Sequence, residues 1–206
     1  MFSFRVAEAE RVDAMFLDIA AYLQTIVPPK FSGPVDAALV ARGETAFAAN
    51  GTRCHGSYGA NESYPNLLIP AAMVGTDPSL ANDFGANRDA AQWFSDSFYG
   101  QTGARYEAVV GYVAPPLDEI GATAPFFHNG SVPTLAAVLD SSIRPAKWSM
   151  SFGDAAFDAE AAGWKGDGAG ELYDATQPGA LNVGHVFADG LTTEDRRALL
   201  EYLKTL

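Results

Sequence analysis

The chain has 206 residues, 48% of them hydrophobic and 18% charged, a globular balance with length for one cored domain plus a fragment of another. Thirteen basic against 25 acidic side chains give a formal charge of −12, which argues against a nucleic-acid partner because phosphate binding needs a cationic surface. A single cysteine excludes an internal disulfide framework, no apolar run is long enough to span a membrane, and Met1-Phe2-Ser3-Phe4-Arg5 does not open a secretory signal.

In chain order, Val6 to Val27 predicts one amphipathic helix, with Val12, Met15, Phe16, Ile19, Leu23 and Ile26 recurring at three- and four-residue steps until Pro28-Pro29 ends it. Two roles are open for it: an added packing helix, or the tail of a preceding domain. Ser32-Gly33-Pro34 makes a linker, and Asp36 is placed to N-cap a helix running to about Ala49. Leu67-Leu68-Ile69-Pro70 is too short for more than an extended apolar segment, and Gly75-Thr76-Asp77-Pro78 marks a turn. A helix is expected near Pro78 to Phe98, carrying Leu80, Phe84, Trp93 and Phe94, and another from Thr134 to Asp140. From Arg144-Pro145 to Gly184-His185 no period holds, so loops with at most short strands or turns are expected. Thr192 or Thr193 caps a final helix whose first turn holds Glu194 and Asp195. With 20 Gly and 12 Pro, the expected class is mainly α with long irregular loops.

The chemistry centres on Phe47-Ala48-Ala49-Asn50-Gly51-Thr52-Arg53-Cys54-His55-Gly56, which sets the sole cysteine directly before a histidine. That adjacency suits covalent haem attachment, in which a thiolate adds to a haem vinyl group and the next residue, a neutral imidazole, binds iron from the same side. The usual motif is C-x-x-C-H. Gly51 stands at its first position, leaving Cys54 as the one possible thioether. On these two residues alone, a buried thiol beside a loop histidine is the plainer reading. The flanks add weight: Gly43, Phe47 and Gly51 are similar in spacing to the glycine, aromatic and first haem cysteine of small cytochromes c. The terminal Ala198-Leu199-Leu200-Glu201-Tyr202-Leu203-Lys204 resembles the helix that crosses their first helix at that glycine, where a missing side chain lets two backbones approach.

A wider set of motifs points to a family. The run A-T-A-P-F-F-H-N-G-S-V-P-T-L from Ala122 to Leu135, the preceding Y-V-A-P-P-L, Arg144-Pro145, the pattern D-x-T-x-P-G-x-x-N-x-G-H from Asp174 to His185, and the terminal L-T-T-E-D-R-R-A-L-L-E-Y-L-K-T-L all fit it. Together they resemble the C-terminal haem domain of bacterial di-haem proteins, in the rubber-oxygenase-like branch of the di-haem cytochrome c peroxidase group. The resemblance implies a cytochrome c-like haem domain over residues 31–206 holding one haem c. Residues 1–30 then correspond to the C-terminal helix of a preceding, absent haem domain plus a linker. It also implies an electron-relay role in a di-haem oxidoreductase, an upstream haem domain or another redox protein as partner, and a periplasmic or extracellular parent protein.

His55 is the expected proximal iron ligand. For the opposite side the candidates are His185, His128, Met150 and Met73. His185 comes first, because it lies in a glycine-rich loop before the terminal helix and the resembling family uses a histidine pair. His128, in a stiff Asn-Gly turn between Pro125 and Pro133, is expected to hydrogen-bond a propionate, and Arg144 to pair with one bidentately. Arg53 is a weaker candidate for the same role. Rival readings are a degenerate haem-free interaction domain, a fragment of a peroxidase or dioxygenase, a Cys54 nucleophile served by His128 or His185 with Asn129 or Asn182, and a zinc site built on Cys54 and the histidines.

Overall fold

The structure is a computed structural model describing residues 6–27, 29–151 and 156–206. The opening Met1 to Arg5, the Pro28 of the expected helix stop, and residues 152–155 of the expected long loop lie outside the described residues. In chain order the first half carries α1 (Val6–Leu23), α2 (Ala37–Asn50), α3 (Thr52–His55), β1 (Leu68–Pro70), α4 (Ala71–Val74), α5 (Ser79–Ala86), α6 (Arg88–Ser95) and α7 (Phe98–Gln101). The second half carries β2 (Gly111–Val113), α8 (Leu135–Leu139), β3 (Lys147–Ser149), β4 (Phe157–Asp158), β5 (Gly163–Trp164), β6 (Leu172–Asp174) and α9 (Thr193–Leu203).

Among the described residues two compact units emerge, one of residues 6–27 and 29 with 84–109, the other of residues 30–83 with 110–151 and 156–206. In the first, α1 stops short of the expected Val27. Gln24 N–H still reaches Ala20 O, but Thr25 and Ile26 fall back to Tyr22 O and Leu23 O, the tightening of a last turn. The β-branched run Thr25-Ile26-Val27 ahead of two prolines disfavours further helix. Of α1 only Ala9 is buried, while Met15, Phe16, Leu17, Ile19, Tyr22 and Leu23 are exposed. The single helix expected near residues 78–98 is instead broken after Ala86. Asn87 takes the N-cap of α6 by accepting from Ala90 N–H at 2.9 Å, a role short amide side chains prefer to continuing a helix.

The second unit is organised by the crossing of α2 and α9. Asp36 and Thr192 cap the two helices, accepting from Ala38 N–H and Asp195 N–H. Gly43 sits at the contact: a Cβ built there would lie 2.0 Å from Ala198 O and 2.7 Å from Tyr202 Cβ. The close approach lets Phe47, Leu199, Tyr202 and Leu203 join Leu117, Phe126, Val132, Leu135 and Leu139 in one core. At one end of the crossing the Asp36 amide donates to Glu201 Oε2 at 2.7 Å, and the other oxygen of that carboxylate accepts from buried Lys204 at 2.9 Å.

Helix dominates the regular structure, but the expectation of a mainly α chain holds only in part. Among the described residues three antiparallel two-stranded ribbons form: β1 with β2, β3 with β6, and β4 with β5. The apolar segment at Leu68 to Pro70 gains its strand character from a partner over forty residues away, with Ile69 opposite Tyr112. Trp148 stands opposite Tyr173 in the second ribbon, where aromatic cross-strand stacking at 5.6 Å supplies what local pattern did not show.

Candidate functional site

Everything that follows lies in the second unit. The end of α2 runs through Gly51 into the single turn α3, in which Cys54 N–H and His55 N–H both donate to Gly51 O. Gly56 then closes the turn at φ +85°, a conformation suited to glycine. Gly51 itself has an ordinary helical backbone, so its small size matters for space: a Cβ there would fall 2.3 Å from the Phe47 ring. That ring, buried against Tyr58 and Tyr202, fills the place beside the missing first cysteine.

His55 is held by two main-chain contacts. Its Nδ1 lies 2.8 Å from Pro115 O, and because a carbonyl only accepts, Nδ1 carries the proton and Nε2 keeps a free lone pair. The Tyr58 hydroxyl donates to His55 O and accepts from Leu117 N–H, tying the turn to the same 115–117 segment. Burial lowers the His55 pKa below its ordinary value, only partly countered by the Pro115 carbonyl. The imidazole is therefore neutral at neutral pH and able to bind a metal.

His185 faces it. The two ring centres are 6.3 Å apart with planes inclined by 61°. Two metal–nitrogen bonds of about 2.0 Å to one ion between opposed imidazoles set ring centres about 6 Å apart, so the spacing fits a shared ion. His185 Nδ1 is buried without a hydrogen-bond partner among the described residues, as is Ser131 Oγ. Burial foremost, with the nearby His55 and Arg144, depresses the His185 pKa to about 4, so this ring too is neutral. Among the described residues no group of three or more His, Cys, Asp or Glu side chains is arranged to hold a metal ion. Two imidazoles without further protein ligands would suit a metal whose other positions come from a macrocycle. The rings of Phe127 and Phe187 stand 5.8 Å and 5.1 Å from that of His185. Large apolar side chains remain exposed on the segments that carry the pair: Val113 two residues before Pro115, Met73 beside the Val74 carbonyl that anchors His185, and Val183, Val186 and Phe187 around His185. These features fit a flat apolar group.

The His185 loop is fastened from several sides. His185 N–H donates to Val74 O at 2.6 Å. The buried Asp77 carboxylate accepts from Ser79, Gly179 and Leu181 N–H, and the Asn129 amide donates to Gly179 O and Leu181 O. Burial alone would raise the Asp77 pKa, but those donors outweigh it and hold it below 3.8. Asp77 and Asn129 were not among the ligand candidates; the only local signal for Asp77 is an aspartate in a Gly-Thr-Asp-Pro turn, where side chains commonly bind main chain.

Comparison with known proteins bears on this site. Residues 111–149 match the RoxA-like, cytochrome c-like family. The resemblance read from the motifs thus stands on a segment that contains Pro115, His128 and Arg144, while Cys54, His55 and His185 lie outside it. Two uncharacterized proteins of Sinorhizobium fredii are also similar: y4iJ, 28% identical over 87% of this chain and 40% of its own length, and y4iM, 26% identical over 97% and 56%. The chain spans about half the length of these curated relatives.

The RoxA-like segment does not place its polar residues as expected. All five N–H groups of Arg144 donate to main-chain carbonyls, leaving none for a propionate. His128 is exposed and stacks on Tyr112 at 4.1 Å. The Tyr112 hydroxyl spends its proton on Asp77 O at 2.6 Å, so His128 Nε2–H is the donor in their 3.1 Å contact. Met73 is exposed; Met150 lies beside Ser151, Gly170 and Glu171. Asn182 donates to Pro145 O, so both amides considered as orienters of a cysteine–histidine pair serve loops instead. Arg53 is exposed.

Proposed function

We propose that the chain is a haem-binding electron-transfer domain in which His55 and His185 are the axial ligands and Cys54 is the single covalent anchor. The opposed neutral imidazoles at 6.3 Å carry this reading, and the cytochrome c-like match of residues 111–149 supports it. The Cys54 thiol is free and half-buried; its S–H adds across a vinyl double bond, sulfur bonding one carbon and hydrogen the other, with no oxidant needed. His55, His185 and Cys54 would hold a haem, which would supply one-electron chemistry there. Pro115 O fixes the His55 tautomer, and Val74 O holds the His185 N–H. With both His55 and His185 on the iron, a relay role would be favoured, since peroxide or oxygen chemistry would need an open position. The exposed apolar residues of α1, and relatives of which the chain spans about half the length, support an upstream haem domain as the partner. Cytochrome c-like domains are typically exported, and no helix among the described residues is long and apolar enough to cross a membrane; we place the parent protein in the periplasm or outside the cell.

The test is a pyridine haemochrome spectrum with intact mass on protein made alongside the cytochrome c maturation machinery. One thioether-bound haem with a low-spin spectrum is expected. A haem-free product would favour the degenerate interaction domain, the reading that Gly51 in place of a first haem cysteine supports. A high-spin haem would favour an enzyme with an open position.

A further inference from the structure

We infer that Arg144 is the positioning residue for His185, a role that rests on the axial-ligand reading above. Its guanidinium joins two segments. Nε and Nη2 donate to Ala137 O and Val138 O of α8 at 2.9 and 3.2 Å, carbonyls that a short helix leaves without partners at its C-terminal end. Nη1 donates to Asn182 O and Gly184 O at 2.9 and 2.7 Å, and Nη2 also reaches His185 O at 3.2 Å. Three of the five bonds therefore end on the loop that presents the imidazole, one of them on His185 itself. That residue has φ +46°, a left-handed conformation that a non-glycine residue keeps only where its surroundings impose it. Arg144 supplies much of that restraint, alongside the Val74 carbonyl. The same guanidinium lies 5.0 Å over the Phe127 ring, which in turn stands 5.8 Å from the His185 ring. One cation thus fixes both the backbone beneath the imidazole and an aromatic wall beside it. A lysine cannot substitute, because an ammonium has three donors and no planar fork to span two segments.

Arg144→Lys and Arg144→Ala are compared with Leu203→Ala, which truncates a buried core residue of α9 outside the Arg144 hydrogen bonds and serves as a destabilised control. In matured protein well below its melting temperature, the Arg144 variants are expected to shift part of the haem from low-spin to a water-ligated, high-spin form, alanine more than lysine. The control keeps the parent spectrum despite its lower melting temperature. An unchanged spin state in both Arg144 variants overturns the inference. If the parent binds no haem, the axial reading fails, and amide exchange on the haem-free protein decides this point separately. The His185 amide should then exchange roughly tenfold faster or more in Arg144→Lys than in the control. Equal rates overturn the positioning role.

Discussion

Gly43→Ala sets two well-defined effects against each other. Helix propensity alone predicts a gain of about 1 kcal/mol, since alanine costs less backbone entropy than glycine in a helix interior. The structure predicts the opposite sign. The added Cβ would meet Ala198 O at 2.0 Å and Tyr202 Cβ at 2.7 Å, whereas non-bonded carbons rest about 3.5–4.0 Å from their neighbours. The first obstacle is main chain of α9, which cannot rotate aside, so the helices must part by roughly 1 Å or more. A gap of that size forfeits about a quarter to a half of each affected dispersion contact along the seam, where Phe47, Leu199, Tyr202 and Leu203 pack. Overpacking of this severity costs about 3 kcal/mol, leaving a net loss of about 2 kcal/mol after the propensity gain. For a chain of this length the melting temperature should fall by about 4–8 °C. Thermal and urea denaturation followed by circular dichroism measure it. A melting temperature equal to the parent's, or higher, would refute the crossing at Gly43.

Cys54→Ala should leave haem bound through the imidazoles but extractable by acid acetone, while the parent retains it; extraction of all haem from the parent would sink the thioether. His185→Ala should convert a low-spin spectrum to a high-spin or water-ligated one, whereas His128→Ala, which loses its stack on Tyr112, should not; the reverse result would transfer the ligand role to His128. Asp77→Asn should lower stability near neutral pH by about 1–3 kcal/mol, because a charge-assisted acceptor of three main-chain donors is lost. Its folded pKa lies below 3.8, so the carboxylate's contribution is complete above about pH 4 and disappears as pH falls through the lower folded value. Acid titration of both proteins should show their stabilities converging in that range, and a gap that stays constant or widens there would contradict the assignment.

The short-range patterns were legible without any fold. Cys54-His55 and the Gly43, Phe47, Gly51 spacing are local patterns, and the capping roles of Asp36 and Thr192 follow from side chains that bond the first turn of their own helices. The motif resemblance named the family whose match covers residues 111–149. Tertiary structure decided what depends on long-range meeting. The strand at Leu68 to Pro70 exists because Gly111 to Val113 pairs with it, and three residues have too little periodicity to announce a strand. The proximity of His55 and His185 spans 130 positions and depends on the Pro115, Val74 and Asp77 contacts, whose distant partners no local pattern indicates. Arg144 shows the limit most plainly. Its charge and its proline neighbour were visible, but a guanidinium binds carboxylates and carbonyls through the same five donors. Only the folded chain, by bringing the end of α8 against the His185 loop, determined that carbonyls take them all.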